Sequence, residues 1–292
     1  MALSRSLYST QFLKLTLTEG GSSIDNLPVQ TASIERTVPT EDIVVLGRLG
    51  SINRQQKEVE TYKMDIKLFW ASGSDFGLTA ANISKLTGNA LDGTRSKIEV
   101  TPNGFVGFGI LNKFSLDGSV GGFITADLGF EGFGTPEITT TTNAGSTEGN
   151  SSIKNVTVYT SENIVLGANN NTKSDPTETI KSAKFSLDLP TETLSRIGAP
   201  ITGLTTAALL KGNYLHVAKP PFKASLSYEG ELVTGDHKND SISFGHLKII
   251  PNGFNITSQS YSQNQGDVGA SMSFNSEGVS VTFDAATPNA AN

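Results

Sequence analysis

The residues best suited to metal binding or acid–base chemistry are three histidines, and their spacing matches no known site. His216, His237 and His246 all lie in the second half of the 292-residue chain. Zinc sites combine histidine with cysteine or carboxylate at short fixed intervals, and the chain has no cysteine. The segment 236–240, Asp-His-Lys-Asn-Asp, lacks the alternation and the distal glutamate of a calcium loop. We therefore expect surface or hydrogen-bonded histidines and no metal site.

The sequence also lacks the motifs that indicate nucleotide binding or nucleophilic catalysis. Gly107-Phe108-Gly109 begins like a dinucleotide-binding fingerprint, but Ile110, Leu111 and Asn112 follow and no helix is predicted there. The chain contains no Walker motif and no G-x-S-x-G turn. Cysteine nucleophiles are excluded by composition. We predict that the protein is not an enzyme and that it holds no cofactor.

One polar segment, residues 48–60, is long for a connection between two predicted strands. Long polar loops in small domains often carry function. Two interpretations stay open: a flexible surface loop, or a loop that becomes ordered on a neighbouring subunit. The charged residues that such a contact would use are Arg48, Arg54, Lys57, Glu58 and Glu60.

Composition and charge limit the class of protein. The net charge is -6, the charged fraction is 17% and the hydrophobic fraction is 36%. The sequence has no basic stripe of the kind that binds nucleic acid tightly. It also has no apolar window long enough for a transmembrane helix and no secretory signal at its start. We expect a protein that is made in a cytoplasm and has no membrane partner.

The chain repeats itself. Pro-Asn-Gly-Phe occurs at 102–105 and 251–254, and Gly-x-Val-Gly occurs at 118–121 and 266–269. Proline, asparagine and glycine favour the successive positions of a turn between strands. We predict structural turns at Pro102, Asn103, Gly104, Gly118 and Gly121, and at Pro251, Asn252, Gly253, Gly266 and Gly269.

Further segments match in the same order, which indicates a tandem duplication. Residues 62–68 align with 183–189, and 81–91 align with 199–209. The offset then increases by about 30 residues, which we place in an inserted β-hairpin at about 217–245. Residues 135–152 are rich in Thr, Ser, Gly and Asn and read as a linker. The predicted division is a domain at 1–134, this linker, and a domain at 153–292.

The elements follow from residue periodicity. Apolar residues alternate along 62–68 and 183–189, as in half-buried strands. Helical spacing is found only at 81–91 and 199–209, with Gly93 and Gly212 as the expected ends. Trp70 ends a predicted strand and is expected in the core or at an interface. The fold class is mainly β: two tandem β-sandwich or barrel domains, each with one α-helix.

The pattern resembles the tail tube proteins of long-tailed bacteriophages. The segment 104–134, GFVGFGILNKFSLDGSVGGFITADLGFEGFG, is similar to the end of that domain. The single helix and the long loop between strands agree with it. The resemblance implies domains that pack into a six-fold ring, inner strands that join around a lumen, and rings that stack into a tube.

The resemblance also implies partners. Tandem-domain members form a pseudo-six-fold ring from three chains, in a virion tail assembled in the host cytoplasm. The expected partners are further copies of the chain and sheath, baseplate and tail terminator proteins, with DNA passing through the lumen without specific binding. The alternative is a virion decoration, fibre or carbohydrate-binding β-sandwich protein.

Overall fold

The computed structural model describes residues 12–17, 21, 23–38, 40–44, 51–56, 60–72, 76–101, 104–138, 157–167, 179–196, 213–231, 241–262 and 271–286. Within these ranges lie one α-helix, α1 (Ala80–Asp92), a 3-10 turn (Ser161–Asn163) and 21 strands. The strands are β1 (Phe12–Thr16), β2 (Ser23–Thr37), β3 (Thr40–Val44), β4 (Ser51–Gln56), β5 (Thr61–Phe69), β6 (Ala71–Ser72), β7 (Ser96–Thr101), β8 (Phe105–Ser119), β9 (Thr125–Phe133), β10 (Glu137–Ile138), β11 (Thr157–Val158), β12 (Ile164–Gly167), β13 (Thr179–Asp188), β14 (Thr191–Arg196), β15 (Asn213–Ala218), β16 (Lys223–Glu231), β17 (Ser241–Phe244), β18 (Leu247–Asn252), β19 (Asn255–Ser262), β20 (Ser271–Gly278) and β21 (Ser280–Ala285).

Six antiparallel strands close into a barrel in the order β7–β1–β2–β5–β9–β8. Strict alternation directs one set of side chains inward. In β5 these are Tyr62, Met64, Ile66 and Leu68, all at most 2% exposed. The prediction of a mainly β fold is therefore confirmed, and a barrel is present.

Strand β8 joins this barrel to the rest of the chain. It is 15 residues long. Its first part pairs with β7, and its second part, 113–119, lies between β9 and β13. From β13 the sheet continues through β16 and β20 to β19. The result is a continuous antiparallel sheet in the order β2–β5–β9–β8–β13–β16–β20–β19.

A second sheet, β12–β17–β18–β21, packs against the first. Phe114 on β8, Phe185 on β13 and Phe283 on β21 meet edge to face, with ring centroids about 6 Å apart (6.1, 5.9 and 5.9 Å). Aromatic rings prefer this arrangement because the edge of one ring is electropositive and the face of the other electronegative. One hydrophobic core thus extends from the barrel into the second half of the chain.

Helix α1 matches the segment that periodicity predicted. The Thr79 hydroxyl accepts a hydrogen bond from the Asn82 amide at its start, and Gly93 ends it in the left-handed conformation at φ 73°. Its apolar positions Ile83, Leu86 and Ala90 are buried. The second predicted helix, 199–209, and its expected end at Gly212 lie outside the described residues.

The strand pairing departs from the predicted domain plan. It crosses the predicted boundary, because β8 pairs with β13. Strand β10, inside the predicted linker, pairs with β8. Within the predicted inserted hairpin at 217–245, the two described strands lie in different sheets: β16 lies between β13 and β20, and β17 lies between β12 and β18. Alternation and a polar connection predict strands correctly but leave their partners undetermined.

Candidate subunit interface

The continuous sheet consists of two four-stranded units with the same connectivity. The first unit is β2–β5–β9–β8, and the second unit is β13–β16–β20–β19. In each, a hairpin follows the first strand: β3–β4 after β2 and β14–β15 after β13. The second strands, β5 and β16, are both nine residues long. Position in the sheet therefore equates β13 with β2 and β16 with β5.

β-Bulges mark the same places in both units. In the first strand of each unit, one extra residue interrupts the register with the next strand of the sheet. This residue is Gln30 in β2, which pairs with β5, and Lys181 in β13, which pairs with β16. In the last strands the interruptions fall at Asn112 in β8 and Thr257 in β19. Bulges are specific local features that fix register. Their agreement corrects the sequence alignment of 62–68 with 183–189, because β13 occupies the place of β2 rather than that of β5.

The sheet ends in two edges that no described strand covers. Among the described strands, β19 pairs with β20 alone, and all eight of its residues are exposed. At the other end of the sheet, β1 pairs with residues 23–28 of β2. Residues 29–37 of β2 pair with β5 on one side, and no described strand pairs with them on the other side. Such edges are templates for pairing with another chain.

Strand β19 lacks the features that usually protect an edge. It carries no charged residue and no proline, and eight residues is longer than an average strand. The two edges of the second sheet differ from β19: β12 has four residues, and β21 carries Asp284. The signal in the sequence is the uncharged run Asn-Ile-Thr-Ser-Gln-Ser-Tyr-Ser, which the sequence analysis did not single out.

The face of the continuous sheet that points away from the core is polar, with more acidic than basic residues. Strand register places serine and threonine there together with charged residues. Lys223 and Glu277 form an ion pair at 2.9 Å on this face. The acidic residues in its described strands are Glu35, Asp65, Asp117, Asp127, Glu131, Asp188, Glu229 and Glu277, and the basic ones are Lys63, Lys67, Lys113, Lys184 and Lys223.

The charged segment 48–60 is in part a strand rather than a loop. Arg54 belongs to β4, which pairs with β3 opposite Asp42. The Glu60 carboxylate accepts hydrogen bonds from Arg36 (Nε, 2.9 Å) and from Thr135 (3.0 Å). Arg48, Lys57 and Glu58 lie outside the described residues, so a common contact of the five residues stays a prediction.

The two Pro-Asn-Gly-Phe segments connect consecutive strands in different surroundings. The first lies between β7 and β8, which pair with each other, and the second between β18 and β19, which lie in different sheets. Gly253 has φ 67°, whereas a Cβ on Gly104 would lie 2.2 Å from the Val100 carbonyl oxygen. Gly118 lies in β8, Gly121 has φ 75°, and Pro251 and Asn252 end β18. Pro102, Asn103, Gly266 and Gly269 lie outside the described residues.

The ionisable groups with shifted pKa values lie in or beside the hydrophobic core. His246 stacks on Trp70 with 4.8 Å between ring centroids, and its Nε2 lies 3.0 Å from the Leu78 carbonyl oxygen. Burial lowers the pKa of His246, and this hydrogen bond partly opposes the shift. Burial also raises the pKa of the Tyr62 hydroxyl, which donates to the Phe108 carbonyl. Arg95 covers the Phe133 ring at 3.7 Å, and its pKa is lowered by burial.

Comparison with protein-family models and with curated proteins finds no match to this chain. Within the described ranges, no three histidine, aspartate or glutamate side chains lie together in a way that could hold a metal ion. The described part of the chain also has no helix of the length and apolar character that crossing a membrane requires.

Proposed function

We propose that the protein is a structural subunit of a bacteriophage tail tube. One observation carries the proposal: a continuous antiparallel sheet of two equivalent four-stranded units, with an edge at each end that no described strand covers. A ring needs a subunit whose two joining surfaces differ, so that copies add head to tail until the ring closes. The two edges, β19 and residues 29–37 of β2, are such a pair.

The number of copies combines the two units per chain with the six-fold ring that the resemblance to tail tube proteins implies. The junction of β8 with β13 joins two units within one chain, and a similar junction between chains would continue the same rotation. Three chains of two units then close a pseudo-six-fold ring around a lumen. Covalent linkage replaces every second junction, which lowers the entropy cost of assembly. Stacking of rings through their remaining faces gives the tube.

The polar face of the continuous sheet lines the lumen in this proposal. Its acidic excess and its many hydroxyl groups suit a conduit for DNA, because a basic wall would bind phosphates and hold the genome in place. The protein then belongs to the virion tail, contacts further copies of itself, and reaches sheath, baseplate or terminator proteins at the surfaces and ends of the tube. Catalysis and a cofactor have no part in this function.

Native mass spectrometry and cryo-electron microscopy of the purified full chain test the proposal. We expect rings of three chains with pseudo-six-fold symmetry and stacked tubes at high concentration. Rings of six full chains would contradict the three-chain arrangement. Monomers that persist at every concentration and bind glycans would contradict the tube and support the fibre or decoration alternative.

A further inference from the structure

We infer that β19 pairs antiparallel with β2 of the next copy, in the register that β8 and β13 use within the chain. This inference rests on the proposed self-assembly and adds the strands, the register and the residues. It places Tyr261 of one copy opposite Ile34 of the next.

The register follows from the bulges. Within the chain, Leu116 lies opposite Phe185 across the β8–β13 junction. Leu116 stands four residues after the bulge at Asn112, and Tyr261 stands four residues after the equivalent bulge at Thr257. On the other side, Phe185 stands four residues after the bulge at Lys181.

Ile34 has the matching place in β2. It stands four residues after the bulge at Gln30. If β19 and β2 of two copies pair as β8 and β13 pair within the chain, Tyr261 therefore lies opposite Ile34. The positions of the bulges fix this register. A displacement by one residue would turn every side chain to the opposite face of the sheet, so the register is well defined.

The side chains agree with this register. Tyr261 is 61% exposed in the single chain, and Ile34 is only partly buried against the core. An aromatic residue opposite a β-branched one is a favourable cross-strand pair. The flanking pairs would be Ser258 with Thr37 and Ser262 with Ser33, where the internal junction has Lys113 with Asp188 and Asp117 with Lys184.

No like charges meet in this junction. The only charged residues it contains are Glu35 and Arg36, which fall opposite Ser260 and Gln259. The uncharged β19 thus accepts the charged end of β2, whereas two copies of β19 side by side would leave both β2 edges uncovered. This difference gives the contact one direction, from β19 of one copy to β2 of the next, which a ring requires.

Disulfide cross-linking tests the register directly, because the chain has no cysteine. Two double variants carry matched pairs, Thr37→Cys with Ser258→Cys and Ser33→Cys with Ser262→Cys. Opposite residues in an antiparallel pair lie about 4.5–5.5 Å apart between Cα atoms, which a disulfide spans. We expect covalent dimers and trimers of both variants after mild oxidation, as seen on a non-reducing gel.

The crossed double variants are matched controls: Thr37→Cys with Ser262→Cys, and Ser33→Cys with Ser258→Cys. They use the same four exposed positions, but each pair is offset by four residues, about 13 Å along the strand. We expect no cross-link from them. Mixing the single variants Thr37→Cys and Ser258→Cys should give covalent dimers only, which tests the direction of the contact.

The outcomes separate this inference from the proposed function. Rings that form under reducing conditions, but that cross-link only in the crossed variants or in none, would overturn the register and leave the tube proposal standing. Cross-linking of Ser258→Cys alone would overturn the direction. Monomers under all conditions would overturn both the register and the proposed function.

Discussion

The two four-stranded units have the same strand order but opposite surroundings at their last strand. In the first unit, the second half of β8 is covered by β13, and Phe114 and Leu116 are fully buried. In the second unit, the equivalent β19 is exposed along its whole length. The contrast shows that a unit of this kind does not complete its own sheet. Strand β13 of the second unit completes the sheet of the first, whereas no described strand covers β19 of the second.

The units also differ in the sheet behind them. In the first, β2 and β8 are each 15 residues long and extend into the second layer, which closes the barrel. In the second, β19 and β20 end after eight residues, and β21 occupies the place beside β18 that β8 takes beside β7. Strand length therefore decides whether a unit is closed by its own chain.

The largest expected effect comes from breaking the core that both units share. Phe114→Ala removes a fully buried ring that contacts Trp70, Phe185 and Phe283. We expect a loss of about 3–5 kcal/mol in the free energy of unfolding, as for other buried aromatic residues. Urea denaturation followed by circular dichroism measures it.

The shape of that transition tests the comparison. With one core, the whole transition should move to lower urea and stay single. A first step that moves while a second stays in place would show two independently folding domains instead. Phe123→Ala is the matched control: this ring is 52% exposed, and its removal should cost less than about 1 kcal/mol.

The next effect compares equivalent residues at the covered and the open edge. Leu116→Ala should destabilise the single chain by about 2–5 kcal/mol, because Leu116 is buried against β13. Tyr261→Ala should change the unfolding free energy of the monomer by less than about 0.5 kcal/mol, since Tyr261 is exposed there. It should nevertheless weaken assembly.

Analytical ultracentrifugation checks the second half of this pair. Tyr261→Lys places a charge on the edge, which opposes strand addition, and should leave the protein monomeric. Tyr261→Phe keeps the ring and should assemble like the unmodified chain. Assembly that is equally strong in Tyr261→Lys would show that β19 is not the joining edge.

The sequence predicted the local elements well. The alternation in β5 and β13 and the helical spacing of α1 each identified the right element, since these periodicities record which face is buried. The repeated Pro-Asn-Gly-Phe segments lead into β8 and β19, which have equivalent places in the continuous sheet. All of these signals are local, which is why a single sequence contains them.

The sequence did not predict which strands pair. Residues 62–68 and 183–189 match because every alternating strand resembles every other with the same period. Only the hydrogen-bonded register shows that β13 corresponds to β2 and β16 to β5. The exposure of β19 could not be predicted either. Whether one face of β19 is buried depends on how far the second sheet, β12–β17–β18–β21, extends along the first, and this is not visible in the sequence of β19.

A smaller effect compares the two Pro-Asn-Gly-Phe glycines. Gly253→Ala should cost about 1–2 kcal/mol, because φ 67° is unfavourable for residues with a Cβ. Gly253→Asn should cost less, since asparagine tolerates this conformation. Gly104→Ala should cost at least as much as Gly253→Ala for another reason: its Cβ would meet backbone, which must then shift. Thermal unfolding of the three variants tests both reasons, and equal losses for Ala and Asn at 253 would exclude backbone conformation as the cause there.

The last effect is confined to acidic solution and concerns His246, which connects the second unit to Trp70 of the barrel side. The pKa of His246 is lowered by burial, so between its folded pKa and 6.5 the unfolded chain binds a proton that the folded chain does not. Stability is therefore complete above pH 6.5 and decreases as the pH falls below it.

His246→Phe keeps the stacking on Trp70 but cannot be protonated, although it loses the contact with the Leu78 carbonyl. We expect the variant to be less dependent on pH between 5 and 6.5 than the unmodified chain, measured by urea denaturation at a series of pH values. Parallel curves for the two proteins would place the acid sensitivity elsewhere and leave His246 as a packing residue only.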